Sequence, residues 1–108
     1  MVSRMTRAQA VNKALLSNPG HVPLEVLWEK QQHEPKRYLL RPDMTVGDFM
    51  AVLRDRRVIR PSEAMFILVG GTLPSVARSV SDLYHEHKDE DGMLVCTVCK
   101  ERTFGNGS

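Results

Sequence analysis

The chain has 108 residues, 42% of them hydrophobic and 26% charged, with a net charge of +2. These values exclude a disordered chain and suit one domain with a modest core, large enough to need no metal or disulfide staple. No apolar run approaches the ~20 residues that a membrane span needs. A net charge this small makes no case for nucleic acid as a partner.

The N-terminal stretch "MVSRMTRAQAVNK" has no apolar h-region, so it does not read as a secretory signal. The expected compartment is cytoplasmic, where thiols stay reduced. Charge is divided along the chain: residues 1–60 carry +5 and residues 61–108 carry −3. A basic face of this kind suits acidic peptides or anionic lipid headgroups, and ordinary surface scatter explains it equally simply.

"SRMTRAQAVNKALLSNPG" predicts a helix, with Ser3 or Thr6 as its cap and Asn18-Pro19-Gly20 as its stop. Met5, Ala8, Val11, Ala14 and Leu15 form its apolar stripe. Residues 22–30 predict a strand with Val22, Leu24, Val26 and Trp28 on one face. A turn over 31–35 leads to a second strand, "KRYLLR" over 36–41, and the two strands make a hairpin.

The next helix begins after Thr45, a suitable N-cap, with Asp48 in its first turn. Val46, Met50, Leu53 and Arg57 share one stripe, and Phe49, Val52 and Arg56 share its neighbour. The arc is wide for a surface helix. One stripe is expected to face the core while Phe49 and Val52 help line an outer groove.

"AMFILV" over 64–69 predicts a buried strand, and Gly70-Gly71 a tight hairpin turn into a short strand. Residues 79–87 suit a short helix capped by Ser79, and 92–100 the last strand. The order is helix, β, β, helix, β, short β, short helix, β. It predicts an α+β fold, a ubiquitin-like β-grasp with one extra N-terminal helix. In that fold the last strand runs parallel beside the first. The expected organisation is a helix over 1–20 packed on the domain, the β-grasp domain over 21–104, and a processed flexible tail over 105–108.

Candidate chemistry is sparse. Cys96 and Cys99 form a CxxC, but three residues apart on a strand they point to opposite faces, about 10 Å apart. A disulfide needs Cα atoms within about 7 Å, and no second CxxC or His pair completes a zinc site. They read as structural thiols. "HEHKDED" over 85–91 reads as a solvated charge run, and Gly70-Gly71 lacks the surroundings of a phosphate loop. No catalytic constellation is present and no cofactor is called for, which favours a binding or modifier role.

"KRYLLRPDMTVGDFMAVLRDRRVIRPSEAMFILVGGTLP", "LYHEHKDEDGML" and the terminal "TFG" resemble the autophagy ubiquitin-like modifiers, the family of the microtubule-associated protein light chains and the GABA-A-receptor-associated protein. The likeness runs without gaps from about Lys36 to Gly105 and reaches back to Val22-Pro23. It implies processing by a cysteine protease between Gly105 and Asn106, after the aromatic Phe104. Activating and conjugating enzymes then pass the Gly105 carboxylate to phosphatidylethanolamine on the autophagosome membrane. A glycine threads narrow enzyme channels, and the two acyl chains supply stable anchoring.

The resemblance also implies recruitment of cargo receptors carrying short aromatic-x-x-aliphatic motifs, which add a strand to the edge of the second strand. The matched positions of the aromatic pocket are Pro23, Arg37, Leu39 and Met93. Those of the aliphatic pocket are Tyr38, Leu40, Arg41, Pro42, Met44, Phe49, Val52 and Leu53, and for Leu53 core packing weighs equally. Arg56 matches an arginine that pairs with acidic residues beside the motif. The chain departs from the family pattern in having one N-terminal helix for two and a short 31–35 turn. It departs too in Gly92 and Met93 for bulky aromatics, in Ala51 for a larger residue and in Arg37 for lysine. Conjugation to a protein lysine and a purely non-covalent adaptor remain alternatives; an enzyme using Cys96 or Cys99 is the remotest.

Overall fold

In a computed structural model, the structure describes residues 4–29, 33–56 and 64–100. Among them are three helices, α1 (Arg7–Ser17), α2 (Val46–Asp55) and α3 (Val80–His87). The four strands are β1 (Val22–Trp28), β2 (Lys36–Leu40), β3 (Met65–Val69) and β4 (Leu94–Lys100). They form one mixed sheet in the order β2-β1-β4-β3. β1 pairs antiparallel with β2, Pro23 opposite Leu39 and Glu25 opposite Arg37. It pairs in parallel with β4, Leu24 opposite Leu94. That parallel pair between the first and last strands is the arrangement expected of a β-grasp.

The helix starts are locally encoded. The Thr6 side chain accepts from the Gln9 N–H while Gln9 returns a bond to the Thr6 N–H, a reciprocal capping box. Thr45 and Asp48 do the same for α2, and Ser79 caps α3. Ser3, the other candidate cap of α1, lies outside the described residues, as do parts of the 31–35 turn and Arg57.

Strand parity divides the sheet into two faces. Leu24, Val26, Trp28, Leu40, Leu94, Cys96 and Val98 turn to one face, where Val46, Phe49 and Leu53 of α2 and Val80, Leu83 and Tyr84 of α3 complete the main core. Pro23, Glu25, Arg37, Leu39 and Met93 belong to the other face, covered at one end by α1, whose Val11 is 4% exposed. β1 is therefore covered on both sides, and its burial is nearly continuous rather than alternating.

Several expectations change at the edges of elements. The α1 stripe is shifted: Met5 precedes the helix and is 53% exposed, Ala8 is exposed, and Ala10, Val11, Ala14 and Leu15 face inward. The strand expected over 64–69 is not buried throughout, since Phe66 is 38% exposed on the edge strand β3. Gly70 and Gly71 take φ of 59° and 77°, the left-handed angles of a tight two-residue turn. The short strand expected after them is a single bridge between Val69 and Thr72. The last strand begins at Leu94, because Gly92 at φ 82° belongs to the preceding turn.

Candidate peptide-binding groove

β2 is an edge strand, hydrogen-bonded only to β1 among the described residues. Its outer side offers free backbone donors and acceptors to another extended chain. Two hollows open beside it, one for each face of the sheet.

The smaller, about 130 Å³, lies between α1 and the sheet. Pro23, Leu39 and Met93 floor it, Ala10, Val11 and Ala14 wall it from α1, and Arg37 and Tyr38 stand at its rim. All four positions expected for the aromatic pocket meet here. The α1 wall is not legible in the sequence, because helical periodicity marks an inward stripe without saying which strand it covers.

The larger hollow, about 390 Å³, lies between β2 and α2. Tyr38, Leu40, Met44 and Val52 line its apolar part, and Arg37, Arg41 and Arg56 rim it. The Arg56 guanidinium lies 6.0 Å from the centre of the Tyr38 ring, within cation–π range. Leu39 touches both hollows, so β2 is the ridge between them.

Three expected residues are not part of these walls. Phe49 is 1% exposed and Leu53 fully buried, both within the main core rather than an outer groove. Phe49 instead stands behind Tyr38, ring centres 5.4 Å apart and edge to face, and backs the wall that Tyr38 presents. Pro42 is exposed beyond the end of β2. Gly105, Phe104 and Asn106 lie outside the described residues.

A charged cluster holds α1 in place and so keeps the small hollow shaped. Arg7 Nη1 donates to Asp89 Oδ2 at 2.6 Å and to Asp91 Oδ2 at 2.9 Å. Its Nη2 donates to Glu25 Oε1 at 2.9 Å, and Arg37 Nε donates to Glu25 Oε2 at 3.1 Å. Part of "HEHKDED" is thus a clamp and not only a solvated run. Asp89 also accepts from the Asp91 and Met93 N–H groups. Burial opposes the Asp89 charge, but these N–H donors and Arg7 outweigh it and hold the carboxyl below its ordinary value. No sequence pattern marks this cluster, because its members come from α1, β1, β2 and the turn before β4.

The two thiols differ in setting. Cys96 is buried, and burial pushes its thiol up to about 12. Cys99 is partly exposed, raised by burial and by neighbouring Glu29. Among the described residues no group of His, Cys, Asp and Glu could hold a metal ion, and no helix is long and apolar enough to cross a membrane.

Residues 6–105 match the family model described as "Autophagy protein Atg8 ubiquitin like". Autophagy-related protein 8 of Coccidioides immitis is 47% identical over 73 residues, 68% of this chain and 62% of the relative. Autophagy-related protein 8 of Candida glabrata is 46% identical over 72 residues, 67% of this chain and 61% of the relative. The match thus spans less than two thirds of these relatives' length. Among solved structures, ATG8 of Trypanosoma brucei is similar with a TM-score of 0.80 and 28% identity, over 92% of this chain and 89% of that one.

Proposed function

This chain belongs to the Atg8 family of ubiquitin-like autophagy proteins, and on that premise we propose that it is a modifier conjugated through Gly105 to phosphatidylethanolamine, which gathers receptors through the β2 groove. It is a substrate of a processing protease and of activating and conjugating enzymes, and not itself an enzyme. It moves from cytosol to autophagosomal membrane as the lipid is attached. Among the described residues no helix is long and apolar enough to cross a membrane; in this reading the two acyl chains are the anchor.

The observation that carries the receptor reading is the placement of two hollows on opposite faces of one free edge strand, one apolar and one with an apolar part rimmed by arginines. An extended peptide alternates its side chains between faces, so residues three apart point to opposite sides. An aromatic at one position reaches the α1-side hollow, and an aliphatic three residues later reaches the α2-side hollow. The two-residue spacer of the motif follows from strand geometry. Backbone bonds along β2 contribute affinity, and the hollows contribute selectivity.

Two measurements test the proposal. A labelled peptide with an aromatic-x-x-aliphatic core should bind the purified protein, and replacing either anchor with alanine should abolish binding; equal binding of the alanine peptides removes the groove. Intact mass of the protein from starved cells should show loss of residues 106–108 and a phospholipase D-sensitive lipid adduct, both absent in Gly105→Ala. Persistence of Ser108 on the cellular protein rejects the processing step. An adduct resistant to phospholipase D points instead to a protein lysine.

A further inference from the structure

The two ends of the groove differ in charge. At the α2 side Arg41 and Arg56 rim the hollow, and Arg37 stands where it meets the smaller one. Arg41 pairs with Asp43 at 3.3 Å, but these side chains are 71% and 77% exposed, so the pair is readily exchanged for another carboxylate. At the α1 side the guanidiniums already face carboxylates, Arg7 at 24% exposure and Arg37 at 51%. Glu25 takes both Arg7 and Arg37, and Asp89 and Asp91 take the rest of Arg7. Glu25 is only 13% exposed, so salt and water screen its charge weakly.

We propose that Glu25 sets the charge preference of the groove, acting as a built-in carboxylate that occupies Arg37 in place of a ligand's own. The preferred partner is then a peptide with acidic residues after its aliphatic anchor, and not before its aromatic one. This rests on the groove reading above. The polarity follows from the hollows. The small one meets β2 at Arg37, Tyr38 and Leu39, while the large one extends to Leu40, Arg41 and Met44, past the strand's C-terminal end. A peptide whose aromatic precedes its aliphatic therefore runs parallel to β2. Its upstream residues lie beside Arg37 and Glu25, its downstream residues beside Arg41 and Arg56.

The test is isothermal titration of three peptides sharing one Trp-x-x-Leu core at low salt. One carries two glutamates before the Trp, one carries two after the Leu, and one carries serines at both ends. The downstream-acidic peptide should bind about fivefold tighter than the serine peptide, an advantage that shrinks as salt rises. The upstream-acidic peptide should stay within about twofold of it. Glu25→Gln should free Arg37 and give the upstream-acidic peptide an advantage of its own, with the fold checked by circular dichroism. The wild-type ranking decides by itself if that variant does not fold. Equal binding of all three peptides, or an upstream preference in the wild type, overturns the role of Glu25 while leaving the groove standing. Failure of all three to bind removes the groove and this inference with it.

Discussion

Arg7 and Asp89 meet at 2.6 Å across 82 residues of chain, fastening α1 to the turn that leads into β4. With the Asp91 and Glu25 contacts of Arg7, it helps hold the outer wall of the small hollow, which Ala10, Val11 and Ala14 form.

Arg7→Ala should therefore loosen α1 without unfolding the sheet. Arg7 is 24% exposed and serves three carboxylates, so a loss of about 1–2 kcal/mol is expected, more than a lone surface pair contributes. Denaturant midpoints followed by circular dichroism check this. The same variant should bind an aromatic-x-x-aliphatic peptide more weakly, since half the aromatic pocket moves away.

Acid should weaken the same clamp. Burial works against the Asp89 charge, yet the Met93 and Asp91 N–H groups and Arg7 lower its proton affinity below the ordinary 3.8. A group depressed in the folded state contributes stability that is present above its unfolded value and lost as pH falls through the folded one. Stability should thus hold at pH 5 and decline from about pH 4 downward. Asp89→Asn should flatten that part of the profile, and a Tm measured from pH 7 to pH 2.5 distinguishes the two proteins.

Leu39 and Leu53 separate binding from folding. Leu53 is fully buried, so Leu53→Ala should cost about 2–5 kcal/mol of stability. Leu39 is 37% exposed on the ridge between the hollows, so Leu39→Ala should cost less than about 1 kcal/mol of stability. It should nevertheless weaken peptide affinity about tenfold, as a central anchor position does. Equal effects of the two variants on stability would contradict the assignment of Leu39 to the groove.

The thiols should report their surroundings. With its thiol pushed up to about 12, Cys96 is about one part in ten thousand thiolate at pH 8, and its sulfur is buried as well. Native protein should give one slow reaction with an aromatic disulfide reagent, at Cys99, and denatured protein two fast ones. Reaction of both thiols in the native state at similar rates would mean that β4 opens readily.

Much of the local structure could be read from the residues alone. Thr6, Thr45 and Ser79 announce helix starts because their side chains satisfy N–H groups that no helix can satisfy for itself. Gly70-Gly71 announces a turn because its φ angles are costly for any residue with a Cβ. The alternation in Val22, Leu24 and Val26, with the order of elements, predicts the β-grasp, and most of the residues that the resemblance implies line the two hollows. Only the tertiary structure decided what covers each face. Phe49 sits behind Tyr38 instead of beside it, Ala10 and Ala14 wall a pocket, and Glu25 joins Arg7 to Arg37. Periodicity tells a side chain which way to point but not what it meets, and these partners are brought together by chain closure over distances that no local pattern spans.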